Sequence, residues 1–195
     1  MVKISTAVEG ERRVQPPERR TQALNTELFH PAPKELPVAI RPPRGSNETL
    51  KALERYDWHS LGKARNGELL RAGALWLHGF LEESHTIAQG IGSAEGSYWH
   101  ALMHRSEGDF SNSKYWYRRV GHHPIFPDLL AAARQLEINS LSTMAALLKS
   151  PDWDPFRFVD AMENAANRET KETGLLQAVA REEYNLLMGY CLAEL

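Results

Sequence analysis

From residue 46 to the end of the chain, apolar residues recur at intervals of three and four. Nowhere do they alternate with polar ones, which commits the chain to amphipathic helices and offers no candidate strand. Leu70, Ala74, Leu77, Leu81 and Ala88 predict one helix over 67–89, and Leu175, Leu176, Val179, Leu186, Leu187 and Tyr190 another over 172–193. Ser46 and Asn47 are cap residues before a short helix over 48–58 that turns Leu50 and Leu53 to one side. The glycine-rich run 90–96 is a break, after which Ser97 caps a helix to residue 107 and Gly108-Asp109 makes a turn. A further helix then runs from Ser111 or Asn112 to Val120. Helices over 128–148 and 155–167 complete the set. The expected fold is all-α, a compact bundle of about six or seven helices, and no fixed-period repeat marks a solenoid.

Seven of the eleven prolines fall in residues 1–46, with eight Lys/Arg against five Asp/Glu. Proline fixes φ and removes a backbone donor, so this stretch reads as an extended arm preceding a single helical domain over 47–195. Leu24, Leu28, Phe29 and the apolar run 36–40 are what would hold such an arm on the body, or on a second copy in a homo-oligomer.

A formal charge of -2 gives no basic excess for a nucleic-acid backbone, so no nucleic-acid partner is expected. With Cys191 as the sole cysteine, neither an intramolecular disulfide nor a thiolate zinc site can be built. No stretch approaches the roughly 18 apolar residues of a membrane span, and residues 1–22 lack a signal-peptide core. These features predict no membrane association and a cytoplasmic location.

Six of the eight histidines, His78, His85, His100, His104, His122 and His123, lie between residues 78 and 123. In one helix over 67–89, His78, Glu82 and His85 share a face at i, i+4, i+7, while His100 and His104 share one at i, i+4 on the next. If the glycine-rich break folds the two helices back on each other, His85 comes level with His100 and Glu82 with His104. Glu82, His85, His100 and His104 are therefore the candidate ligands of a divalent transition metal such as zinc, iron, manganese or nickel. Glu82 and His85 also form an ExxH pair. It occurs once, whereas dinuclear carboxylate bundles use it twice. The structural alternative is that the rings pack beside Trp76, Trp99 and Trp116 and are satisfied by hydrogen bonds.

The segment 97–119 mixes aromatic residues with cations and acids. Arg105, Arg118 and Arg119 offer planar forks for an anion, Glu107 and Asp109 offer acceptors, and Asn112 an amide. With His85, His100 and His104, the residues Arg105, Glu107, Asp109, Asn112 and Arg118 form the candidate lining of a small-molecule pocket, in which a histidine could act as acid or base. The alternative is internal pairing of Arg105 and Arg118 with Glu107 and Asp109 around the turn.

Residues 98–124 follow the pattern YWHxxxHRxEGDxxNxxYWxRRxGxHP, by which the chain resembles a family of uncharacterised microbial proteins. The resemblance continues more loosely through 80–89 and around Glu183-Tyr184, and it implies neither an activity nor a cofactor. The Gly108-Asp109 turn with the following Tyr-Trp-Tyr-Arg-Arg run is also similar to one unit of a helical-repeat module; a single unit fits a bundle better than an array.

Cys191, in an apolar helix, reads as a buried small hydrophobe. Ser84 precedes His85 but points about 100° away from it on a helix, and no GxSxG elbow or phosphate-binding glycine loop is present. The leading expectation is thus a helical domain with a metal or small-ligand pocket, with no reaction specified. The rival is an interaction module that exposes the Trp/Tyr/Arg run.

Overall fold

The structure, a computed structural model, describes residues 43–61, 64–136, 144–166 and 171–193. The predicted arm lies outside the described residues as far as residue 42, and so does any docking of it on the body or on a second copy.

All regular structure among the described residues is helical, in a compact bundle. In chain order the elements are α1 (Asn47–Arg55), a 3-10 turn (Trp58–Leu61), α2 (Ala64–Leu77), α3 (Leu81–Ala88) and α4 (Ala94–Glu107). They are followed by α5 (Phe110–Val120), α6 (Phe126–Leu136), α7 (Ala145–Leu148), α8 (Pro155–Ala165) and α9 (Lys171–Ala193). No described helix is long and apolar enough to cross a membrane.

The helix expected over 67–89 is two helices. Gly79 adopts φ +74°, and a Schellman pair ends α2: Gly79 N–H donates to Trp76 O at 3.0 Å and Phe80 N–H to Leu75 O at 2.9 Å. The reversal lets Gly45 N–H reach His78 O at 2.9 Å. His78 therefore falls on the far side of a break from Glu82 and His85, and the expected common face of the three does not exist. Ser84, buried on α3, ties the two pieces together by donating its hydroxyl to Ala72 O at 2.8 Å.

Two helix starts also lie earlier than expected. Ser93, rather than Ser97, caps α4 by accepting from Gly96 N–H at 3.3 Å, and Asp109 caps α5 by accepting from Asn112 N–H at 3.1 Å. At the other end of α4, Gly108 (φ +81°) closes a second Schellman pair, with Asp109 N–H donating to His104 O at 2.9 Å. The α4–α5 hairpin thus turns on two residues. Over the expected 128–148 helix the described residues give α6 and α7, with 137–143 outside them. The helices expected over 155–167 and 172–193 are α8 and α9, the former starting from Asp154 with Pro155 in its first turn.

α4 is the centre of the bundle, with every residue from Gly96 to Ser106 buried. It packs against α2, α3 and α5, while α9 packs against α2, α6 and α8. A helix buried all round is normally apolar, yet α4 carries Arg105 and Tyr98 in its interior. Both are satisfied by Glu183, fully buried on α9. Arg105 Nη2 donates to Glu183 Oε2 at 2.5 Å and Nη1 donates to Tyr117 Oη at 3.0 Å. The Tyr98 and Tyr117 hydroxyls both donate to Glu183 Oε1, at 2.9 and 2.7 Å. The guanidinium also lies 5.0 Å from the Phe158 ring centroid on α8. Burial and the Glu183 charge raise the pKa of Tyr98 far above its ordinary value, and burial does the same for Tyr117, so both remain donors. Burial alone would lower Arg105, but the Glu183 carboxylate outweighs it and the net shift is upward.

Removing one partner of a buried ion pair strands the other, so Glu183→Gln is expected to cost about 3–5 kcal/mol in urea unfolding, against about 1 kcal/mol for Tyr98→Phe. The two turn glycines separate strain from collision. A Cβ at Gly79 would lie 2.5 Å from Pro43 O, whereas one at Gly108 meets nothing within 4 Å. Gly108→Ala is expected to lose only the left-handed penalty of about 1–2 kcal/mol, and Gly79→Ala measurably more in the same assay.

Candidate functional site

Three histidines converge beneath the α3–α4 turn. His85 comes from α3, and His100 and His104 come from successive turns of α4. One ligand atom from each lies within 4.8 Å of the others, a set able to hold a metal ion. The His85 ring meets His100 edge-on at a centroid distance of 4.4 Å and His104 at 5.4 Å, while His100 and His104 lie nearly parallel at 4.8 Å. His100 and His104 are buried and His85 is half-buried, so the set opens to solvent on the α3 side.

Each ring has a distinct surround. His100 stacks on Trp116 of α5 at 3.7 Å, and its buried Nδ1 has no hydrogen-bond partner among the described residues. His104 has Glu107 Oε2 3.5 Å and Asp109 Oδ2 3.9 Å from Nδ1. The Asn112 amide nitrogen lies 3.1 Å from His104 Nε2 and 3.4 Å from Nδ1. Carboxylates beside Nδ1 favour a proton there, as they do behind metal-binding histidines, and leave the lone pair on Nε2, which here faces the Asn112 amide donor.

Burial, followed by the neighbouring His85, His104 and Arg119 charges, pushes His100 down to about 3. His104 is lowered by burial and by His85, with Asp109 opposing. Asp109 is itself held below its ordinary value: hydrogen bonds from Asn112 N–H and Ser111 outweigh the effect of burial. At neutral pH, therefore, His100 and His104 are uncharged and their ring lone pairs are not taken by protons.

The remaining sequence candidates are placed differently. Glu82 is exposed, near enough to Arg44 to influence its charge, and is not in the convergent set. It lies in the exposed first turn of α3, and although the i, i+3 offset keeps it on the side of His85, its carboxylate does not join the three imidazoles. Arg105 points to the other side of α4, to Glu183 and Tyr117, and is paired with neither Glu107 nor Asp109. Arg118 is exposed, 5.9 Å from the Phe156 ring. Glu107, Asp109 and Asn112 gather around His104. Of the tryptophans, only Trp116 stacks on this cluster; Trp76 and Trp99 both pack on Tyr184, in the layer between α2 and α9. His123 is buried elsewhere, accepting from Ile125 N–H at Nδ1 (3.3 Å) beside Tyr98 and Tyr190. Cys191 is buried, and burial pushes its thiol up to about 12, so it is no nucleophile.

Comparison of the chain with protein-family models, with curated proteins and with solved structures finds no match. The chemistry of the site therefore stands on its own geometry.

Residues missing from the sequence candidates are Glu183, Tyr98 and Tyr117 as the partners of Arg105, and Trp116 as the wall behind His100. The spacing of Tyr98 and Arg105, seven apart on one helix face, is a signal that a shared acceptor was needed.

The depressed histidines set a pH dependence. In the unfolded chain each takes up a proton near its ordinary 6.5, while folded His100 resists protonation until about 3 and His104 and His123 are also lowered. Between those limits the unfolded state binds more protons, so stability falls as pH falls. The slope approaches about 1.4 kcal/mol per pH unit for each such histidine. Urea midpoints of metal-free protein are expected to drop from pH 7.5 to 5.5, and less steeply in His100→Gln.

Proposed function

We propose that this protein binds one divalent transition metal ion through His85, His100 and His104, with a coordination position left open to a small polar or anionic ligand. The observation that carries the reading is the convergence of three imidazole donors from two helices within 4.8 Å. Bonds of about 2.0–2.1 Å to a tetrahedral ion place the nitrogens about 3.3 Å apart, so the rings must close by roughly 1.5 Å at most.

Three further features support it. Burial lowers the proton affinity of His100 and His104, the buried Nδ1 of His100 has no partner among the described residues, and Glu107 and Asp109 stand behind His104, where Asp109 raises its basicity. An all-nitrogen donor set suits zinc, cobalt, nickel or copper over magnesium or calcium, which prefer oxygen. An ion with three protein ligands and an open site acts as a Lewis acid on a ligand oxygen.

The interaction-module reading has one specific observation in its favour: Tyr115 is 48% exposed on α5, next to exposed Arg118 and Arg119. Trp116, which that reading also needs at the surface, is instead stacked on His100.

Metal uptake by the purified full chain tests the proposal. Elemental analysis and calorimetry with zinc or cobalt(II) are expected to give one ion per chain. His100→Ala and His104→Ala should each weaken binding by more than the ~10–100-fold typical of outer-shell losses, with helicity by circular dichroism retained. Bound metal at 100 times its Kd should also add about 2.7 kcal/mol of stability. No uptake by the wild type would overturn the reading.

A further inference from the structure

We propose that His123 is an acid-release latch: when its buried imidazole becomes an imidazolium, the turn over 121–124 between α5 and α6 lets go of the bundle while the helices stay folded. The inference is independent of the metal reading, because His123 lies among Glu95, Tyr98, Phe126 and Tyr190 rather than with the three converging histidines.

A single side chain holds this turn down. Gly121, His122 and Pro124 are exposed, whereas His123 is fully buried. Its ring stands edge-on to Tyr98 of α4 at 5.1 Å and to Tyr190 of α9 at 4.9 Å, with Phe126 of α6 at 6.0 Å. Gly121, at φ +67° and with nothing within 4 Å of where a Cβ would lie, leaves the chain room to swing. Ile125 and Phe126 are buried through their own side chains, which confines the release to the residues before them.

Hydrogen bonding fixes the neutral tautomer. Nδ1 accepts from Ile125 N–H at 3.3 Å, so the ring proton is on Nε2. Nε2 is buried with no hydrogen-bond partner among the described residues, and the facing Glu95 Oε1, at 3.8 Å, is beyond hydrogen-bond reach. A second proton can be added only at Nδ1. There it turns the acceptor of Ile125 N–H into a donor, sets two N–H groups against each other, and leaves a buried cation that the carboxylate does not bond. In the open turn the imidazolium is hydrated and neither cost arises.

The surrounding groups give the sign. Glu95 and Tyr98 face His123 from α4 and Tyr190 from α9, His122 adjoins it along the chain, and Cys191 of α9 lies within the field of Glu95. Tyr98 is held as a donor to Glu183. Glu95 favours the cation, but burial outweighs it and holds the imidazole below its ordinary 6.5. The closed turn therefore binds the proton more weakly than the open one. Below the ordinary value, opening grows as pH falls, by up to about tenfold per pH unit for one proton.

Amide hydrogen exchange of the full, metal-free chain, followed by NMR from about pH 7.5 down to about pH 5, tests the latch. The Ile125 and Phe126 amides, which donate to His123 Nδ1 and to His123 O, are expected to be less protected than those of Leu102 and Met103 in α4, which report opening of the whole bundle. Their protection should fall by up to about tenfold per pH unit below about 6.5. His123→Asn keeps an acceptor oxygen near the position of Nδ1 but takes no proton, so the one-proton pH dependence at these two amides should vanish, while His122→Gln should retain it. Glu95→Gln removes the group that favours the cation in the closed turn, so it should increase opening severalfold at about pH 5 and leave it unchanged at neutral pH. This last variant keeps the test decisive if Asn at 123 does not fold. Protection at Ile125 and Phe126 equal to that of α4 at every pH, the same pH dependence in His123→Asn, or no response to Glu95→Gln at acid pH would overturn the inference.

Discussion

The Arg105–Glu183 pair orients the centre of the molecule. α4 is buried on every side, so each polar side chain on it must find its partner inside the protein or lose the hydrogen bonds water would have given. Tyr98 and Arg105, seven residues apart, lie within about 20° of each other on the helix, and both engage Glu183. At 100° per residue, His100 and His104 then lie about 200° and 240° on from Tyr98, on the opposite face. Anchoring one face of α4 to α9 and α5 therefore turns the two histidines toward α3, where His85 waits. Slipping the helix by one residue would both strand the arginine and disperse the histidines.

The same desolvation shapes the chemistry on both faces. On the α9 side it is met by a complete set of partners: Glu183 accepts from Arg105 and from two tyrosines, and Tyr117 bridges the two charged groups. On the α3 side it is met by neutrality. Imidazole can shed its charge at modest cost, so burial lowers His100 and His104, with Asp109 opposing at His104 only in part. His100 and His104 are neutral nitrogen bases, the former with a buried nitrogen that has no partner among the described residues, and a proton is at a disadvantage on both. The satisfied face holds the fold, and the incompletely satisfied face is the one with chemistry to offer.

Helical content, the α8 and α9 spans and the tight turn at Gly108-Asp109 were legible because they depend on periodicity and local cap chemistry. The i, i+4 pairing of His100 and His104 was legible for the same reason. The break at Gly79 was not, since Leu77 and Leu81 continue the helical period across it. What selects the left-handed turn is the approach of the 43–45 backbone, which leaves no room for a side chain at Gly79. Glu82, in contrast, shares α3 with His85 but lies in its exposed first turn, near Arg44, and so drops out of the expected ligand set.

What the sequence by itself determined is the class of element and which residues share a helix face, because both follow from contacts within four or so positions along the chain. What only the tertiary structure decided is the partner each face meets. Glu183 lies 78 positions from Arg105, and nothing in the spacing of either residue encodes the other. His85 and His100 are joined across a turn whose geometry the sequence suggested, but their meeting at 4.4 Å depends on the rotational phase of α4. That phase is set by long-range burial of charge, a constraint that exists only once the helices are packed.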